Sequence, residues 1–174
     1  MSDSSLSAPY IEPWLRGTHA DVQAVGRAVL HALELAEDDL AKWTEGLSDA
    51  EVHAQPLGLT SVATHLRHIA GSVDRILTYA EGNQLTADQL AVMKGEQTGA
   101  ETLEDLLGAV KASFENAAER VRALAGGDFN AARAVGRKQL PTSKGGALVH
   151  VADHTLRHVG QVVTTAKVLK GLRG

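Results

Sequence analysis

Apolar residues recur along this chain in four runs with the period of an α-helix, and the stretches between them lack that period. From Thr18 to about Thr44, the residues Val22, Val25, Val29, Leu33, Ala36, Leu40 and Trp43 follow at three- and four-residue steps, which places them on one helical stripe. Thr18 is the expected N-cap and Gly46 the expected stop. A second run begins near Thr60 or Ser61 and ends before Gly82, with Val62, Leu66, Ile69, Val73, Ile76 and Ala80 on its apolar face. The third spans about Thr102 to Ala125 through Leu103, Leu107, Val110, Phe114, Ala117, Val121 and Leu124, and Gly126-Gly127 ends it. The fourth follows Gly145-Gly146 and carries Leu148, Val151, Ala152, Val159, Val162, Ala166 and Leu169. No run alternates as a strand would.

Four helices with one apolar face each can bury those faces only against one another, so the pattern predicts an all-α four-helix bundle. Helices are expected near residues 18–45, 60–81, 102–125 and 146–170, in a single domain over 18–174 preceded by an N-terminal arm over 1–17. Two connections are long enough for crossovers. Asn83 to Glu101 is expected to hold a short helix capped by Thr86. Gly127 to Gly146, with Val135-Gly136-Arg137-Lys138 and Leu140-Pro141-Thr142, has little periodicity; a loop of that length is more often functional than surface filler.

Composition narrows the chemistry. Aromatics are only 3% of the chain, so Leu, Val, Ile and Ala must fill the core, which favours packed helices. The chain has no cysteine, which excludes disulfides, thiolate metal sites and cysteine nucleophiles. A formal net charge of −4 without a local Lys/Arg cluster gives no electrostatic footprint for nucleic acid. No run approaches the apolar length of a membrane span. The opening Met-Ser-Asp-Ser-Ser-Leu-Ser-Ala-Pro lacks the basic and apolar regions of a secretory signal, so the cytoplasm is the expected compartment.

The chain has eight histidines, five of them in two short segments. His150, His154 and His158 lie four apart in the fourth run, and residues four apart on a helix stand one above the other. His150 and His158 are separated by about 12 Å along the axis, too far to share an ion, so the pair is His150/His154 or His154/His158. At about 100° per residue, His158 falls nearest the apolar stripe, His154 on its flank and His150 furthest away, which favours His154/His158. A third ligand must come from another helix, where His65 and His68 both stand in the second run. Phase prefers His65 and does not settle the choice. His19, His31 and His53 are read as ordinary exposed or satisfied residues, His31 pointing away from its stripe. The rival to a metal site is a pH-sensing cluster.

His154-Thr-Leu-Arg-His158-Val-Gly160-Gln161 resembles the His-x-x-x-His-x-Gly-Gln segment on the last helix of the DinB/YfiT-like superfamily. The resemblance extends from about Ile11 to the end of the chain. In that family a Ser or Thr cap precedes the metal histidine of the second helix by seven residues, as Ser61 precedes His68 here, with Ile69-Ala70 following. The resemblance implies His68, His154 and His158 as ligands of one divalent transition-metal ion, zinc or nickel foremost, with His65 and His150 not coordinating. It also implies a homodimer formed through helix faces, to which Trp14 could add an aromatic anchor. Relatives include thiol-dependent S-transferases and a maleylpyruvate isomerase, and the family's connection with DNA is regulatory.

Three imidazoles leave at least one coordination position free, the arrangement expected of a catalytic site. Nitrogen donors suit zinc, nickel, copper or iron rather than magnesium or calcium. Gln161 is a candidate to hydrogen-bond a ligand on the ion, and Ser72, Arg75 and Tyr79 lie near the His68 side of the second helix. Arg137 or Lys138 in the long loop are candidates to reach an anionic substrate, and no Asp or Glu stands out as a general base. The two functional expectations are a metal-dependent enzyme, hydrolase or thiol S-transferase, acting on a small molecule or thiol, and a non-catalytic metal- or ligand-binding protein of the stress response.

Overall fold

The computed structural model describes residues 9–173; the first eight residues of the expected arm lie outside them. Six helices and one hairpin follow in order: α1 Ala24–Thr44, α2 Asp49–His53, α3 Val62–Ala80, α4 Ala87–Gly95, α5 Leu103–Leu124, β1 Ala132–Val135, β2 Leu140–Ser143 and α6 Lys144–Gly171. The four long helices α1, α3, α5 and α6 are the four predicted runs. Each of α1 and α3 packs on both α5 and α6, so α1 and α3 occupy opposite corners of the bundle. The crossovers are therefore the segments after α1 and after α5. The connection through α4 joins adjacent helices.

The predicted stripes are the core. Val29, Leu40, Leu66, Ile69, Val73, Val121, Leu148, Val151, Val159 and Val162 are all almost wholly buried. A Leu-and-Val interior of this kind gains its stability from apolar area removed from water, about 25 cal/mol per Å². Ser61, Thr86 and Thr102 cap α3, α4 and α5 through their side chains, each supplying an acceptor to an otherwise orphaned helical N–H.

Besides the 83–101 connection, which joins neighbours where a crossover is expected, two boundaries and the segment after α5 differ from the expectation. Thr18 does not cap α1, which begins at Ala24. His19 adopts φ 56°, a left-handed conformation that stops a helix at that point, and the Thr18 hydroxyl lies 3.1 Å from His31 Nε2. The last helix starts at Lys144, with Gly145-Gly146 inside its first turn and Ser143 as its cap. The aperiodic segment after α5 contains the antiparallel β1–β2 hairpin, with Ala132 opposite Ser143 and Val135 opposite Leu140. Arg133 in β1 donates to the Ala80 carbonyl at the end of α3, which holds the hairpin against the bundle.

Candidate metal centre

Helices α3 and α6 are neighbours, and they bring His68 together with His154 and His158. The Ser61 cap starts α3 two turns before His68, and the His154/His158 step is one turn of α6. The three residues each offer a ring nitrogen, and those atoms lie within 4.8 Å of one another. His68 Nε2 stands 2.9 Å from His154 Nε2. The rings of His68 and His158 are 4.4 Å apart between centroids, and those of His154 and His158 4.6 Å. All three are half-buried.

On the far side of His68 is a residue that the sequence did not single out. The Glu96 carboxylate lies 2.8 Å from His68 Nδ1 and 2.6 Å from an Arg75 guanidinium nitrogen. Burial by itself raises the Glu96 pKa, but the hydrogen bond with His68 and the Arg75 guanidinium beside it outweigh burial and hold the group below the ordinary carboxylate value. An ionised carboxylate only accepts, so His68 carries its proton on Nδ1. The Nε2 lone pair is thereby left facing His154, which is the tautomer a metal ligand needs.

The other candidates fall around this core in different ways. His65 is buried and sits behind His158, with Nδ1 3.3 Å from His158 Nδ1. His150 is exposed and turned to Asp153, 2.8 Å away. Gln161 is exposed and its nearness to His158 favours the charged form of that ring. Ser72 is buried and returns its hydroxyl to the Ile69 carbonyl within α3. Tyr79 stands eleven residues past His68, about 16 Å along the helix axis. Arg75 is paired with Glu96, and Arg137 and Lys138 are exposed at the hairpin turn between β1 and β2. Burial, then the nearby imidazoles of His158 and His68, push His154 down to about 4, and the same causes push His65 to about 4. His158 is lowered as well, chiefly by burial and His68. Burial and neighbouring imidazoles therefore favour the neutral form of His154 and His158, the form that can ligate.

A second group, His19, His31 and Glu34, also brings its potential donors within 4.8 Å. Here His31 is buried, against the expectation from its phase, because the turn around Thr18 and His19 covers it. The hydrogen bonds run the other way from those at His68. Arg122 donates to His19 Nδ1 at 2.7 Å, and His19 Nε2 lies 2.6 Å from Glu34 Oε1. A guanidinium only donates, so the His19 proton is on Nε2 and is directed at Glu34. No lone pair of that ring is left for an ion.

A helical bundle with three converging imidazoles, one of them backed by a carboxylate, defines a class of nitrogen-donor proteins able to hold one metal ion. Residues 32–162 match the family model of the DinB superfamily, and the chain belongs to that superfamily. A comparison with curated proteins finds no match. Among the described residues no helix is long and apolar enough to cross a membrane.

Proposed function

We propose that this chain is a metal-binding DinB-superfamily protein in which His68, His154 and His158 hold one divalent transition-metal ion, zinc or nickel, for metal-dependent chemistry on a small molecule. The observation that carries the reading is the convergence of three ring nitrogens within 4.8 Å, with Glu96 on the outer nitrogen of His68. Donors about 2.1 Å from one tetrahedral ion would stand about 3.4 Å from one another, so the rings need only small adjustments. When bound, such an ion supplies Lewis acidity to a water or thiol in its remaining position. The reaction classes proposed are hydrolysis and thiol S-transfer. The chain's own part is to hold three neutral imidazoles and to leave that position open.

One observation favours the second reading, a non-catalytic metal- or ligand-binding protein. The three histidines are half exposed, and cavities of about 550 and 640 Å³ are lined by other residues, around Trp14 and His31 and between α3, α4 and α5. Elemental analysis of protein purified without an affinity tag, followed by turnover assays with the metal found and a panel of low-molecular-weight thiols and esters, separates the readings. One ion per chain with turnover supports the enzyme, and one ion without turnover supports the binding protein. Loss of metal from His65→Ala or His150→Ala while His68→Ala kept it would refute the site. A homodimer belongs to the same proposal, with the exposed Trp14 as an anchor; sedimentation showing a monomer at micromolar concentration would remove it.

A further inference from the structure

We infer that Glu96 is a positioning residue for the metal centre, and that Gly71 and Arg75 exist in their present form to hold its carboxylate against His68. The inference rests on the metal reading above and adds residues outside the three ligands.

Glu96 directly follows α4, a helix with no buried residue, yet Glu96 itself is 6% exposed. A buried carboxylate is retained only where its oxygens are paired. One oxygen meets His68 Nδ1 at 2.8 Å, and the other meets the buried Arg75 at 2.6 Å. The ion pair lies directly over the backbone of Gly71. A Cβ at that position would stand 2.6 Å from Arg75 Nη1 and 2.7 Å from Glu96 Oε1. Gly71 occupies the interior of α3, where glycine is disfavoured relative to alanine, and the room it leaves is filled by this pair. The start of α4 is tied to the same helix, because Gln89 donates to Asp74 at 2.6 Å and to Thr78 at 2.8 Å. Helix α4 is thus fastened at one end by Gln89 and delivers Glu96 at the other.

The consequence is chemical. Carboxylates behind metal-binding imidazoles fix the tautomer and ring orientation, and their loss typically costs about 10–100-fold in metal affinity. Without Glu96, His68 is free to carry its proton on Nε2, the nitrogen that faces His154.

The test uses the full chain, stripped with chelator and titrated with zinc against a competing indicator, as wild type, Glu96→Ala, Glu96→Gln and Gly71→Ala. Zinc affinity is expected to fall about 10–100-fold in both Glu96 variants. Glutamine cannot serve both neighbours, since one side of its amide must face either Arg75 or His68 with the wrong group. Gly71→Ala is expected to weaken zinc without altering any charged residue, which keeps the test decisive if a Glu96 variant folds poorly. Long-range ¹H–¹⁵N spectra of the stripped protein supply the readout that a purely structural tie would not move. The His68 ring should show the Nδ1–H tautomer in wild type and lose it in Glu96→Ala. Glu96 variants that bind zinc within twofold of wild type, or a wild-type His68 protonated on Nε2, would overturn the inference alone. A wild type that takes up no zinc would overturn it together with the metal reading.

Discussion

At His68 the ring nitrogen turned away from its cluster meets the Glu96 carboxylate, whereas at His19 the corresponding nitrogen meets the Arg122 guanidinium. The two groups otherwise look alike: each gathers imidazoles from separated parts of the chain, and each brings its potential donors within 4.8 Å. The partner behind the ring decides what the ring presents in front. A carboxylate draws the proton backward and leaves a lone pair facing the cluster. A guanidinium takes the rear lone pair and leaves the proton on the forward nitrogen, directed at Glu34. Counting histidines therefore does not tell the two clusters apart; the hydrogen bond on the second nitrogen does.

The largest effect expected from this comparison is at His154, which stands within ligand distance of both His68 and His158. His154→Ala should abolish nearly all zinc binding, while His19→Ala and His31→Ala should leave one ion per chain. Elemental analysis of the three variants at matched concentration checks this. Loss of zinc from His19→Ala would break the comparison outright.

Acid should act on the same centre. His154 and His65 are both depressed from an ordinary value of 6.5 to about 4, first by burial and then by neighbouring imidazoles. The unfolded chain therefore binds more protons than the folded one between those values, and stability rises with pH across that window. Ion-free protein should lose stability as pH falls from about 6.5 towards 4, and bound metal should be released over the same interval by competition with protons. Thermal melts and metal release from pH 8 to 4 follow both. Unchanged melting temperatures between pH 6.5 and 4 would show that burial of these rings carries no linkage.

A smaller effect separates the two histidines that flank the proposed ligands. His65 backs His158 from the core, whereas His150 is exposed and paired with Asp153. His65→Ala should weaken zinc several-fold, in the lower part of the roughly 10–100-fold range for groups behind a ligand. His150→Ala should leave affinity unchanged. Zinc competition titrations of both variants measure the difference.

Much of this was legible from residue order. The stripes of α3 and α6 fix which faces meet, and the same phase argument that places His158 nearest the stripe of its helix and His150 furthest from it agrees with their burial. The fold was readable because burial of Leu66, Ile69, Leu148 and Val151 repeats with the helical period over several turns. Glu96 was not readable, since the 83–101 connection has no period to show that one of its acidic residues turns inward. A buried acid after an exposed helix leaves only one clue in sequence, a glycine inside α3 four residues before an arginine. Thr18 misled because a threonine ahead of an apolar run signals an N-cap, and nothing local to it shows that His19 turns left-handed. The hairpin escaped for a similar reason: Pro141 in a four-residue strand argues against pairing unless the strand is an edge, which in a two-stranded sheet it always is.

The finest test of the comparison changes the group behind His19 and leaves the ring itself intact. Arg122 is partly exposed and paired with the still more exposed Asp21, so Arg122→Ala should cost at most about 1 kcal/mol of stability, as exposed ion pairs generally do. Its effect on His19 should be qualitative. With no donor on Nδ1, the ring can carry its proton there and turn an Nε2 lone pair toward Glu34, whose second oxygen is buried without a hydrogen-bond partner. The variant also removes a positive charge that repels any cation at that point. Arg122→Ala is accordingly expected to take up a second zinc ion, more weakly than the first, and to keep it when His154→Ala has emptied the main centre. Calorimetric titration of the single and double variants reads this directly. If both behave as though Arg122 were still present, charge and tautomer at His19 do not account for the silence of that cluster.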